Sequence, residues 1–250
     1  MEKTRLSKEE RQLFKQKVIN TLLSEPIFEG FKYMQVHEGI VKKTEFGYQR
    51  LCMFFHWEGY DREKQALATE IMHIGYDVRF DVLHKWFEEF SFRTLRDQRG
   101  SYSIGRTASM LEPFENYPDS YDFVYSGEDL EENLAKMVKD MVEIATYFFN
   151  KYRSLENLYA ALIVPVLEGK KEFPDVGADW IFEYLTLTKL VDSENYEKVK
   201  ELILDRIDFL LYRRSRYPEL NIKEYEDKLD EIFKYLEALE LEMSPAFPPL

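Results

Sequence analysis

The hydrophobic period of this chain changes along its length, and that change limits its fold more than any other feature. Between residues 31 and 80, apolar and aromatic side chains come in short alternating runs. From Ser126 onward they recur every three or four positions. A period of two suits half-buried strands, and a period near 3.6 suits amphipathic helices. The chain is therefore expected to be α+β: an antiparallel sheet meander with an N-terminal helix and a long following helix, continued by a C-terminal α-helical segment.

Local signals sharpen that outline. Ser7-Lys8-Glu9-Glu10 has the form of a capping box. Leu13, Phe14, Val18, Leu22 and Leu23 follow at helical spacing, so 7–24 reads as a helix that Pro26 ends. Residues 31–36 and 40–43 read as short strands on either side of Gly39. A stronger strand, 48–57, is bounded by Gly47 and Gly59, and 66–80 continues in the same style. There Met72, Ile74, Tyr76, Val78 and Phe80 share one face, and Gly75 predicts a bulge or a close backbone approach. Val82, Leu83, Trp86, Phe87 and Phe90 fit a short helical stripe within 81–95. Residues 102–106 and 121–125 read as further strands, separated by a loop holding Pro113 and Pro118.

Apolar positions from 130 to 149 mark a long helix, with Glu128, Asp129, Glu131 and Glu132 massed at its positive end. Ser154 caps a shorter helix ending near Ile163. Gly169, Pro174 and Gly177 give the best boundary, dividing an α+β domain, 1–165, from a helical segment, 166–250, expected to pack on it. Helices are expected over about 178–191, 195–212 and 221–241, the last with a box-like cap from Asn221 and Glu224, before a Pro-rich tail from Ser244.

Composition decides the compartment and the class of partner. Cys52 is the single cysteine, so no internal disulfide forms, and a reducing compartment is the simple reading. Residues 1–5 run into charged residues with no apolar stretch behind them, which predicts no secretory signal. No apolar run approaches the ~20 residues that cross a bilayer. The expectation is a cytoplasmic protein with no membrane partner. A formal net charge of −13 repels nucleic-acid phosphates, so no nucleic-acid partner is expected, whereas a basic protein is steered toward the surface. The oligomeric state is left open.

Catalytic motifs are missing or weak. His56 and His73 fall on adjacent strands with Asp77 or Asp81 near, yet there is no His-Glu-x-x-His, no Cys-x-x-Cys and no dense acid–histidine cluster. The four histidines, His37 and His84 included, read as members of an aromatic-rich surface, and no metal or other cofactor is expected. Cys52, two positions from Phe54, reads as a small buried hydrophobe. Ser103-Ile104-Gly105 only approaches a nucleophile elbow, and no glycine pattern cradles a phosphate. Carboxylate pairs such as Glu88-Glu89 belong to solvated faces. The local anomaly is cationic: Arg93, Arg96, Arg99 and Arg106 surround Tyr102 in a strongly acidic chain. Arginine forks suit carboxylate or phosphate recognition, although pairing with the chain's own surplus acids explains them more simply. Arg213, Arg214 and Arg216 complement a helix C-terminus.

Three stretches carry a resemblance. The run Ile74-Gly75-Tyr76-Asp77-Val78-Arg79-Phe80, the opening Ser126-Gly127-Glu128-Asp129-Leu130, and Phe148-Phe149-Asn150-Lys151-Tyr152-Arg153-Ser154-Leu155-Glu156 resemble a bacterial family of domains of unknown function. Some members of that family occur among immunity proteins of polymorphic toxin systems. The resemblance covers roughly residues 7–165, brings no catalytic residues, and implies a binding role. The expected function is thus non-catalytic binding of another, basic protein. The rival is an anion-binding protein or an enzyme using the sheet face, with Arg93, Arg96, Arg99, Tyr102 and one of His56 or His73 around the ligand.

Overall fold

A computed structural model describes residues 7–56, 60–61, 66–85, 87–91, 94–124, 130–173, 179–214 and 227–239. It is α+β, with a seven-stranded antiparallel sheet among the described residues. The chain divides into two compact units, neither a single stretch: Met1–Val78 with Ile104–Lys151, and Arg79–Ser103 with Tyr152–Leu250. The sequence boundary at 165/166 followed glycine and proline. The division in the structure instead assigns 79–103 and 152–165 to the helical unit.

In the first unit, helix α1 (Lys8–Leu23) opens with the expected capping box. The Ser7 hydroxyl accepts from the Glu10 amide, and Glu10 accepts from the Ser7 amide at 2.8 Å. Phe14, Val18, Ile19 and Leu22 are buried, while Leu13 is 70% exposed, so the buried stripe lies one position round the helix from a start at Leu13. Strands β1 (Lys32–Met34), β2 (Gly39–Thr44) and β3 (Gly47–His56) form a meander. Gly39 is required by packing: a Cβ there would stand 2.2 Å from the Leu51 carbonyl oxygen across the β2–β3 ladder.

Strand β5 (Ala66–Phe80) borders β3, and β4 (Tyr60–Asp61) pairs with its first residues. Further along, β5 takes β7 (Tyr121–Val124) against 68–71 and β6 (Ile104–Arg106) against 76–78. The irregularity expected at Gly75 sits at His73, whose φ is +52°. That left-handed residue adds one position to the strand. Ile71 and Ile74, three apart, consequently both enter the core, and the Ile74 amide reaches the Asp119 carbonyl. Gly75 itself meets nothing closer than the Cys52 Cβ at 4.0 Å.

Helix α4 (Leu130–Lys151) buries Leu134, Met137, Val138, Met141, Ile144, Ala145, Phe148 and Phe149. The core it completes is a train of rings: Phe28, Phe31, Phe149, Phe148 and Tyr76, successive centroids 5.4 to 6.0 Å apart. Phe14 on α1 meets Phe123 on β7 at 5.1 Å. Ring pairs at these offsets add stabilisation beyond the area they bury.

The second unit contains α2 (Phe87–Phe90), α3 (Leu95–Gly100), α5 (Leu155–Leu162), α6 (Val164–Leu167), α7 (Asp179–Val191), α8 (Tyr196–Arg214) and α9 (Leu229–Ala238). Helix α7 is its centre. Ile181, Phe182, Leu185, Leu187 and Leu190 are buried, and so are Thr186 and Thr188. A helix covered on every side is an internal helix. Its threonines satisfy themselves by donating to the carbonyls of Phe182 and Tyr184, both at 2.8 Å. Tyr159 on α5 donates to Asp192 at 2.7 Å, tying α5 to the end of α7. The expected Asn221 cap and the Pro-rich tail lie outside the described residues.

If the ring train carries the first core, Phe148→Ala costs about 3–5 kcal/mol, whereas Leu13→Ala changes stability by less than about 0.5 kcal/mol. Urea denaturation of both variants against the parent checks this contrast.

Candidate functional site

Alternation along β3 places Leu51 and Met53 in the core and Arg50, Cys52, Phe54 and His56 on the other face. Asp77, from β5, lies on that face. Arg50 Nε donates to Asp77 Oδ2 at 2.7 Å, and Cys52 Sγ donates to the same oxygen at 2.9 Å. Arg50 also stands over the Tyr48 ring and 3.5 Å from His37 Nδ1. Burial pushes the Asp77 carboxyl up from the usual range, against the pull of Arg50 and its hydrogen bonds. Burial, and next the Asp77 charge, pushes the Cys52 thiol far up, so Cys52 is a donor and not a thiolate nucleophile. It is half-buried and polar in role, in contrast to the small hydrophobe expected.

His56 and His73 are both exposed. His73 packs edge-on against Phe54, with centroids 5.9 Å apart. Among the described residues no group of three or more His, Cys, Asp or Glu is placed to hold a metal ion.

The arginine cluster is dispersed. Arg93 lies outside the described residues. Arg96 and Arg99 are exposed on α3, a helix capped by Thr94, and Tyr102 follows, 47% exposed. Arg106 belongs to β6 in the first unit, where it donates to the Gly105 carbonyl. Arg79, which sequence reasoning passed over as a site residue, is the better anchored cation. Its Nη1 donates to Gln98 O, Ser101 O and Ser101 Oγ at 2.6 to 3.0 Å, and its Nε to Asp81.

The loop that Arg79 braces leads to Ser103. Ser103 Oγ accepts from the Phe80 amide at 3.0 Å and lies 3.0 Å from His84 Nε2. His84 Nδ1 lies 3.1 Å from Glu183 Oε1 on α7. The imidazole thus stands between the Ser103 hydroxyl and the Glu183 carboxyl, and Ser101 Oγ lies 3.5 Å from the same Nδ1. Ser103, His84 and Glu183 are all buried.

An open cleft of about 500 Å³ in the same unit is lined by Val166, Phe173 and Leu202, with Lys171 and Arg206 set against Glu172 and Asp205. Its opposed charges select no ligand charge.

A surface of another kind covers α4 in the first unit. Tyr117 donates to Glu143 at 3.1 Å and Tyr121 to Asp140 at 2.9 Å. The hydrogen bond to Glu143 raises the Tyr117 phenol; burial, then Asp140, raises that of Tyr121. Asp119 accepts from Ser109, beside Met110, which is 65% exposed. Glu112, Glu115 and Asp122 are exposed around them. The signal for this surface is in the chain itself: no lysine or arginine occurs between Arg106 and Lys136, a stretch that includes Glu112, Glu115, Asp119, Asp122, Glu131 and Glu132. Even charge spacing elsewhere hides it in the overall composition. Lys136 and Lys139 on α4 end this base-free run, and Asp140 and Glu143 follow them.

No protein-family model matches the chain, and neither a curated protein nor a solved structure does. The residues themselves are therefore the ground for any reading of function.

Arg50→Met strands Asp77 in the interior and is expected to destabilise by about 3–5 kcal/mol, whereas Arg50→Met with Asp77→Leu recovers most of that loss. Denaturant titration of the single and double variants checks the pair.

Proposed function

We propose that this is a cytoplasmic binding protein that engages a basic protein partner, without catalysis at that contact, through the acidic tyrosine-bearing surface over α4. The observation that carries the reading is the pair of phenol–carboxylate hydrogen bonds, Tyr117 to Glu143 and Tyr121 to Asp140, set in a surface rich in exposed acids. Carboxylates already oriented by phenols lose less freedom on binding than free side chains do. Tyrosine and methionine are enriched in protein interfaces, and Met110 adds an exposed apolar contact. A net charge of −13 steers a basic partner inward and raises the association rate. Neutralisation of a basic toxin is the form this binding takes if the resemblance to immunity-type domains holds. No described helix is long and apolar enough to cross a membrane.

Affinity purification on the full chain from its native host, at low and at moderate salt, tests the reading. A stoichiometric basic protein is expected, with association slowed about 10-fold or more by Glu112→Lys, Glu115→Lys and Asp122→Lys together. Recovery of no such partner at either salt, or a partner whose capture ignores the charge reversal, contradicts it.

A further inference from the structure

We propose that Ser103, His84 and Glu183 form a nucleophile, base and acid that accept an acyl group from a small ester. This activity would lie wholly in the second unit and is independent of partner binding over α4. A serine nucleophile needs a base within hydrogen-bond reach and a third group that holds the base in one tautomer. Both are present: 3.0 Å from Ser103 Oγ to His84 Nε2, and 3.1 Å from His84 Nδ1 to Glu183 Oε1. The residues occur in the order His84, Ser103, Glu183, and such a constellation is recognised by geometry and not by order along the chain.

The surroundings favour the chemistry. Glu183 projects from the internal helix α7 with its side chain 8% exposed, so it cannot turn to solvent and leave the imidazole. It holds the proton on Nδ1 and aims the Nε2 lone pair at the serine. The Phe80 amide donates to Ser103 Oγ, and a hydrogen bond to an oxygen that is losing its proton favours the anion. Arg79 ties the loop before Ser103 at Gln98 and Ser101, which fixes the nucleophile in place. Ser103 is the outermost of the three, 9% exposed against 2% for His84 and 6% for Glu183, and it adjoins the exposed Tyr102.

In the acylation step Ser103 Oγ bonds the acyl carbon while its proton passes to His84 Nε2. The ester C–O bond then breaks, and the departing alcohol takes that proton. Water, deprotonated by His84, adds to the acyl-serine, and Ser103 leaves with the proton from His84. The sum is ester plus water giving acid plus alcohol.

The test is labelling of the full chain with a small alkyl fluorophosphonate, read by intact mass and peptide mapping. One phosphonyl group is expected on Ser103, absent in Ser103→Ala and formed about 100-fold more slowly in His84→Asn. Glu183→Gln, which keeps the shape and still accepts from Nδ1, is expected to slow labelling less. It also serves as the second probe should His84→Asn fail to fold, with circular dichroism checking each variant. No adduct on Ser103 in the folded parent overturns the proposal. So does an adduct that forms at an unchanged rate in the folded His84 or Glu183 variants.

Discussion

The pairing of strand β5 along its length is the constraint on which the other features depend. Its even-numbered residues Ile74, Tyr76, Val78 and Phe80 are buried at 3% exposure or less. Its backbone is shared among β3, β4, β6 and β7. Polar groups along it make further contacts: on its other face Asp77 receives Arg50 and Cys52 and Arg79 braces the loop at 98–101, while the backbone amide of Phe80 donates to Ser103. The β7 pairing leads directly to Tyr121 and its carboxylate partner. The left-handed His73 lets one long strand serve two short partners, because the added residue resets the inward face between the β7 and β6 pairings.

Each unit contains a buried polar cluster with defined partners, and the two differ in kind. Arg50 and Asp77 are an ion pair whose members compensate each other's burial, with the Cys52 thiol as an extra donor. Such a pair adds little net stability but makes any arrangement that separates its members costly. His84, Glu183 and Ser103 instead form a chain in which an imidazole links a hydroxyl to a carboxyl, the order of groups that general-base chemistry uses. The acidic tyrosine surface is a third case. Its hydrogen bonds lie at the solvent boundary, where they orient carboxylates without burying their charge.

Much of the fold was legible in the residues, and the reasons are local. The capping box at Ser7, the limits of β5 and the apolar positions of α4 follow from spacing within one element. Three things depended on tertiary contact and were not legible. Leu13 and Phe14 are adjacent apolar residues, and only the packing partner decides which one is buried. The strand distortion sits at His73 and not at Gly75, next to the Ile74 amide that reaches the Asp119 carbonyl, a contact distant in sequence. His84, Ser103 and Glu183 are distant in sequence, so no motif spans them, and Ser103-Ile104-Gly105 alone only approaches a nucleophile elbow. The arginine cluster shows the converse. Proximity in sequence suggested a single site, yet Arg96 and Arg99 sit on α3 and Arg106 on a strand of the other unit.

Native-state hydrogen exchange measures the role of β5 most directly. If pairing along this strand holds the first unit together, the amides of Tyr76 and Val78 exchange only through opening of that whole unit. They are then about 100-fold or more slower than those of the edge strand β1. Exchange of the β5 centre as fast as that of β1 would contradict the central place given to it.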